Sequence, residues 1–333
     1  MMSEPTKSNA GTSKDWNWNP ELPIPVSPIF SWPPKPIAAL KWLASYWLAV
    51  SSVVIILGLA FIAYWLTQPA WADMQDLSLG WILQIWIRNL ILIFIIAGGL
   101  HLWLISYQGQ DQSLKYDPRN MARDNSHFTF RNQVWDNMFW SIASGVTVWT
   151  VFEVGLFWLA ANGGLPLIEF GHAPLWSVLL LVLIPIWSSF HFYWIHRLLH
   201  WPPLYRRVHS LHHRNINIGP WSGISMHPVE HLLYFTSPAI HLILPSDPIH
   251  ILFHFYLQAL APCFSHSGYE KLVAKLAPNM ALGDFFHQLH HRYFECNYGT
   301  IEVPWDVWFG SFHNGTEEAT KRVRKRTREM QSG

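Results

Sequence analysis

Four apolar stretches follow one another in this chain, about Ala39 to Leu66, Gly80 to Tyr107, Val134 to Ala160 and Leu175 to His200. Each reaches or exceeds the roughly 20 residues that an α-helix needs to cross the hydrocarbon of a bilayer. Buried helices of a soluble core are the alternative, but four in succession at these lengths point to a membrane bundle. Composition agrees: 13% of the 333 residues are charged, against roughly 25% in soluble domains, and 21 tryptophans suit long lipid–water boundaries. The expected fold is all-α, an integral membrane bundle of about four transmembrane helices.

No internal repeat or Gly/Ser linker divides the chain, so a single domain is expected over residues 39–315. Residues 1–38 are polar and rich in proline (Pro20, Pro23, Pro25, Pro28, Pro33, Pro34, Pro36), and read as a mostly unstructured, uncleaved N-terminal segment. Residues 316–333 form a basic tail carrying Lys321, Arg322, Arg324, Lys325, Arg326 and Arg328. Such a run is solvated or faces lipid headgroups, and with a formal net charge of +1 no nucleic-acid partner is expected.

Loop charge predicts orientation. The connections Thr67 to Leu79 and Ala161 to Pro174 contain no Lys or Arg, whereas the one between them carries Lys115, Arg119, Arg123 and Arg131. The N-terminal segment and everything after His200 are also basic, so the positive-inside rule places both termini and the C-terminal half in the cytosol. Within the spans, Arg88, His101 and Glu153 either serve function or pair with one another inside the bundle. Leu232 to Leu244 and Ile249 to Phe264 are broken by prolines and too short to span comfortably, so they read as re-entrant or interfacial helices.

The chemistry lies in histidine. Sixteen of the 19 histidines fall between His191 and His313, while the two cysteines, Cys263 and Cys296, cannot make a thiolate metal site. His196 and His200 are four apart, on one helical face. In His209-Ser-Leu-His212-His213 and His287-Gln-Leu-His290-His291 the first histidine shares a helical face with the other two, while the adjacent pair fans out by about 100°. A triplet of this kind can bridge two neighbouring ions. Eight imidazoles are too many for one ion and suit two, although imidazole alone does not distinguish iron, zinc, copper and nickel. His227 and His266 are supplementary ligands between the clusters, with His231 an open case. His191 is five residues before His196, some 140° off its face, so His200 is the preferred partner. His241, His250, His254 and His313 are interfacial or supporting, and His101, His127 and His172 unrelated.

These residues resemble the fatty acid hydroxylase and sterol desaturase superfamily of membrane dimetal oxidases. The resemblance covers about Phe190 to His313: Tyr-Trp-Ile-His196-Arg-Leu-Leu-His200, then His209 to His213, Met-His227-Pro-Val-Glu230, Ser-His266-Ser-Gly-Tyr-Glu270, and His287 to His291, followed by Asn297-Tyr298-Gly299 and Trp305-Asp306-Val-Trp-Phe309-Gly310. It implies a four-helix membrane bundle with a cytosolic histidine-rich helical cap. The ligands would be His196, His200, His209, His212, His213, His227, His266, His287, His290 and His291. Ser188-Ser189 stand where an acidic residue is common, and Ser311 follows Phe-Gly where Thr is commoner.

The implied function is O2-dependent hydroxylation or desaturation of a sterol, fatty acyl or other isoprenoid lipid, at two iron ions that zinc can replace in purified protein. Side chains alone cannot oxidise an unactivated C–H bond, and iron ions can activate O2. No flavin, haem or nicotinamide fingerprint is present, so a separate electron donor is expected: cytochrome b5-like, a ferredoxin or a reductase. Glu230, Asp284 and Asp306 are candidates to orient imidazoles. The rival reading is a histidine-rich membrane metal-binding or transport protein, which would want its ligands at mid-membrane depth. A zinc hydrolase would show His-Glu-x-x-His, which is absent.

Overall fold

A computed structural model describes residues 16–44, 51–273 and 280–332 of the chain. Among the described residues its regular structure is helical apart from one antiparallel pair of short strands, β1 (Lys271–Leu272) with β2 (Met280–Ala281). After α1 (Pro36–Leu43) and α2 (Ser52–Thr67) come three helices long and apolar enough to cross a membrane: α3 (Leu79–Ser106), α4 (Gln133–Ala161) and α5 (Pro174–Leu199). The helix α2 is equally apolar but has 16 residues. The first expected span therefore corresponds to α1 and α2, and its residues 45–50 lie outside the described residues.

Local sequence sets these boundaries. Ser51 caps α2 by accepting from the Val54 N–H, and Asn132 caps α4 by accepting from Val134 and Trp135. Proline opens α1 and α5, where its missing N–H costs nothing. Inside the bundle, the guanidinium of Arg88 on α3 forms an ion pair with Glu153 on α4. Asn89 donates to the second Glu153 oxygen at 2.9 Å and Arg88 donates to Gln68 at 3.0 Å. Two of the three intramembrane polar residues thus satisfy each other, as buried charges must. His101 takes no part in that pair.

A short α6 (Pro202–Arg207), a 3-10 turn at His209–Arg214 and α7 (Pro228–Tyr234) lead from the end of α5 to α8 (Pro248–Ser265). Of the prolines that break the two apolar stretches, Pro238 and Pro248 stand in first turns, of a 3-10 turn and of α8, whereas Pro262 lies inside α8; Pro202 and Pro228 open α6 and α7 in the same way. Helix α8 is buried along nearly all of its length and packs chiefly on α2 and then α5, so it forms the interior of the bundle. The cap is completed by α9 (Phe285–Tyr293), α10 (Trp305–Trp308) and α11 (Glu317–Ser332).

The connection 107–132 sits with the cap: Lys115 bridges Tyr269, and the Tyr116 ring lies 5.4 Å from Phe285. The connections lacking Lys and Arg lie together at the other end of the bundle, where Trp158 and Asn162 donate to the Gln75 carbonyl at 3.1 Å. Residues 16–31, read from composition as unstructured, run across the cap. Trp16 packs edge-on against Phe285 at 5.1 Å beneath the Arg292 guanidinium, and the Asn17 and Ile24 N–H groups donate to the carbonyls of Tyr116 and Asn314. Tryptophan and isoleucine supply apolar area here that proline-rich composition conceals.

Candidate metal centre

The end of α5, the 3-10 turn, the end of α8 and helix α9 converge on one buried point. They assemble two histidine groups: His196, His200, His209, His213 and His290 in one, and His212, His266, His287 and His291 in the other. Within each group the nearest ring nitrogens all lie within 4.8 Å of one another. The triplets divide between the groups. His209 and His213, four apart, join the first group and His212 the second; His287 and His291 join the second and His290 the first. Adjacent histidines fan apart and so serve different centres, even though residues 209–214 wind as a 3-10 turn.

Backbone carbonyls fix the tautomers. Nδ1 of His196 faces the Tyr298 carbonyl at 2.7 Å, that of His290 the Cys296 carbonyl at 2.6 Å, that of His266 the Pro262 carbonyl at 2.9 Å and that of His212 the Ser225 carbonyl at 3.3 Å. A carbonyl only accepts, so each of these Nδ1 atoms carries the proton. Burial pushes the imidazoles towards neutrality, His209 down to about 3 and His212 to about 4. Each neutral ring then presents a bare lone pair at Nε2.

Those lone pairs point at one another. Nε2 of His212 and Nε2 of His266 are 3.4 Å apart, with both protons already committed to carbonyls. Without a cation such a contact is repulsive. A first-row ion about 2.1 Å from each nitrogen separates neighbouring ligands by roughly 3.0–3.4 Å. The facing Nε2 pairs His196–His209 (3.1 Å), His213–His290 (3.0 Å), His266–His287 (3.1 Å) and His266–His291 (3.1 Å) have this spacing. The donor set fits two metal ions.

Surrounding groups hold the ligands in place. Glu230 accepts from Nδ1 of His209 at 2.8 Å. Asp284 caps α9, the helix bearing three of the histidines, by accepting from Phe286 N–H at 2.9 Å. Asp306 accepts from the N–H groups of Tyr298 and Gly299 at 2.9 and 2.8 Å, which positions the Tyr298 carbonyl against His196. Glu295, which sequence reasoning missed, lies 3.4 Å from Nδ1 of His200. The carbonyls were missed too, since main-chain acceptors leave no residue signature. Gly223 packs so tightly on α8 that a Cβ there would fall 2.5 Å from Pro262 carbonyl atoms, and this carbonyl is the one that orients His266.

Several histidines lie outside the groups. His227 is partly exposed, and its Nδ1 caps α7 by accepting from Val229 N–H at 3.2 Å. Both nitrogens of His231 are engaged, by Ser144 at 2.8 Å and the Ile224 carbonyl at 3.0 Å. His191 turns to Thr236 at 2.8 Å. His241 and His254 face each other at 3.1 Å and end on Ser246 and Ser237, while His250 meets the Ser177 carbonyl at 2.9 Å.

A cavity of about 490 Å³ opens beside the centre, walled on one side by His196, His209, His212, His266 and His287. Phe192, Ile195 and Leu199 of α5 and Leu257 and Ala261 of α8 line its apolar side.

Fold and site together define a multi-pass membrane protein with a histidine-rich cap able to hold two metal ions. The fatty acid hydroxylase family model matches residues 181–311. A Delta(7)-sterol 5(6)-desaturase of Gibberella zeae is 32% identical over 43% of this chain and 44% of its own length. A Delta(7)-sterol-C5(6)-desaturase of Nicotiana tabacum is 30% identical over 40% of this chain and 50% of its own, and a Delta(7)-sterol 5(6)-desaturase of Saccharomyces cerevisiae 36% identical over 36% and 32%. The chain spans about half or less of the length of these curated relatives. No solved structure matches it. Through this histidine-bearing segment the chain is similar to the fatty acid hydroxylase family and to these sterol desaturases.

Proposed function

We propose that the protein is an oxidoreductase that uses O2 to hydroxylate or desaturate a C–H bond of a membrane lipid at two iron ions. The observation that carries this reading is the pair of converging imidazole groups opening onto a cavity lined in part by apolar residues of α5 and α8. His196, His200, His209, His213 and His290 would hold one ion, and His212, His266, His287 and His291 the other; His227, committed to its helix cap, is left out of the set. When bound, the iron pair supplies O2 activation with two electrons delivered from outside the chain. The protein's own share is positioning. Carbonyls and Glu230 fix the ring orientations, burial keeps the imidazoles unprotonated, and the apolar wall holds the lipid while excluding water.

Loop charge supports a cytosolic cap, where a separate soluble or membrane-bound electron donor can reach it. The named relatives are sterol desaturases, which supports a lipid substrate of that general kind. Expression in a host of defined lipid content, followed by mass spectrometry of the lipids, tests the reading. A new hydroxylated or desaturated lipid is expected with the native chain and not with His290→Ala. Anaerobic purification should give about two iron ions per chain. A lipid profile unchanged by expression, in protein holding two irons and supplied with reductant, would sink it.

A further inference from the structure

The cavity beside the metal centre runs along two helices, and its membrane side is not wholly apolar. Ser188, Phe192 and Ile195 of α5 line it, as do Gln258, Ala261 and Ser265 of α8, each set at the three- and four-residue spacing of a single helical face. Both helices lead to the metal centre, α5 to His196 and α8 to His266. Ser188 and Gln258 each stand eight residues before that histidine, about 12 Å back along the helix.

Their polar atoms are not spent on the fold. A helical serine often returns its hydroxyl to a carbonyl of the preceding turn, as Ser265 does to Pro262 at 3.3 Å. The hydroxyl of Ser188 is buried and meets no partner among the described residues, whereas its neighbour Ser189 meets Thr300 at 2.8 Å and accepts from the Trp305 indole at 3.2 Å. Gln258 is 4% exposed. Its Nε2 donates to the Tyr234 carbonyl at 3.2 Å, which fixes the orientation of the amide, and among the described residues no donor reaches its Oε1. Glu230 also lines the cavity with an unpartnered oxygen, but at the metal end, where it holds His209. Unmet polar groups inside a membrane bundle are costly and point to a ligand.

We infer that Ser188 and Gln258 form a hydroxyl-binding subsite on the membrane side of the cavity, and that the lipid oxidised carries a hydroxyl there. The chemistry selects the group. Oε1 of Gln258 takes a donor, and the Ser188 hydroxyl gives or accepts a proton. An alcohol fills both roles, whereas an ether, ketone or carboxylate has no proton for the amide oxygen. Held in this way, the hydroxyl sets which carbon of the lipid reaches the metal-facing histidines, roughly 12 Å away. The inference rests on the cavity being the substrate site.

The test reads binding apart from turnover. 1-Hexadecanol, its methyl ether and hexadecane share one chain and differ in the terminal group. Each is radiolabelled and bound at equilibrium to the full-length, iron-loaded protein, kept anaerobic and without reductant. The native protein should hold the alcohol roughly tenfold more tightly than either of the others, the worth of one or two hydrogen bonds. Ser188→Ala should cut that preference to about threefold or less, and Ser188→Thr, which keeps a hydroxyl, should retain it. Iron content should match the native protein in both variants. A preference that survives Ser188→Ala unchanged would overturn the subsite, and so would a native protein that binds the three probes alike or binds none. Failure of lipid oxidation in a protein with the alcohol preference intact would refute the proposed chemistry and leave the subsite standing; oxidation by a protein lacking that preference would do the reverse.

Discussion

Glu230 accepts a hydrogen bond from Nδ1 of His209 at 2.8 Å, and both groups are buried. The contact aims the opposite nitrogen of His209 at its neighbours, with Nε2 3.1 Å from that of His196. Removing the carboxylate by Glu230→Ala frees the ring to turn. Partners of this kind typically contribute 10–100-fold in metal affinity. Glu230→Ala should therefore weaken metal binding by about one to two orders of magnitude in a competition titration, with membrane insertion unchanged. Glu230→Gln, which keeps an acceptor oxygen, should recover part of the loss. Equal affinity in all three proteins would show that the contact orients nothing of consequence.

The division of the triplets predicts separable metal losses. His213 and His290 belong to one group, His291 to the other. His291→Ala and His290→Ala should each abolish lipid oxidation and lower bound iron from about two per chain towards one. His191→Ala, His127→Ala and His172→Ala should retain two irons and most activity, because none of these rings belongs to either group. Loss of metal in His191→Ala would reverse the assignment of the first cluster.

The site was legible in sequence where a covalent spacing carries the geometry. Three- and four-residue separations bring each triplet to one face and make the adjacent pair diverge, so the gathering of His209, His212 and His213 was legible, but which of the last two shares a group with His209 was not. What holds those rings comes from elsewhere. The carbonyls of Tyr298, Cys296, Pro262 and Ser225 are main-chain atoms; the Asp306 hydrogen bonds hold that of Tyr298, and Gly223 lies close against that of Pro262. Composition could not reveal the docking of residues 16–31 either, because Trp16 and Ile24 are single apolar anchors in a proline-rich run. Likewise, the wholly buried course of α8 depends on partners distant in sequence, chiefly α2.

Acid should destabilise the metal-free protein. Burial depresses eight imidazoles of the cap, at positions 200, 209, 212, 213, 266, 287, 290 and 291. Their unfolded counterparts titrate near 6.5. As pH falls below that value the unfolded chain takes protons that the folded one refuses until about 4 for His212 and about 3 for His209, so stability present above 6.5 is lost. Glu230 and Asp284, both pushed up to about 8, and Glu270 and Asp306, also raised by burial, work in the opposite direction, but they are four against eight. Thermal unfolding of the apo-protein in detergent should move to lower temperature between pH 7 and pH 5. Added metal should shift the curve back at pH 7 and less so at pH 5, since ligation needs unprotonated rings. A melting temperature that rises on acidification would contradict this account.

The basic connection 107–132 and the histidine cap lie at one end of the bundle, and the connections free of Lys and Arg at the other. A reporter fused after Gly333 should behave as cytosolic, and one inserted near Gly164 as translocated. A translocated C-terminus would place the cap out of reach of cytosolic reductants.

The ion pair between Arg88 and Glu153 makes a prediction of a different kind, because it lies in the bundle and none of the cavity-lining groups belongs to it. Both side chains are nearly fully buried, at 5% and 0% exposure, and Arg88 also lies over the Tyr256 ring at 5.8 Å. Taking away one partner strands a charge where neither water nor a counter-ion can reach it, at a cost of about 3–5 kcal/mol. Taking away both removes the desolvation cost along with the attraction. Arg88→Met and Glu153→Leu should therefore each lower the melting temperature or the yield of folded protein sharply, while the double variant should recover much of the loss. Iron content and product identity in the folded fraction should match the native protein throughout, since the histidine groups are built from other residues. Additive losses in the double variant would show that the two residues act separately. Altered product chemistry with native stability would assign the pair a functional role that this geometry does not provide.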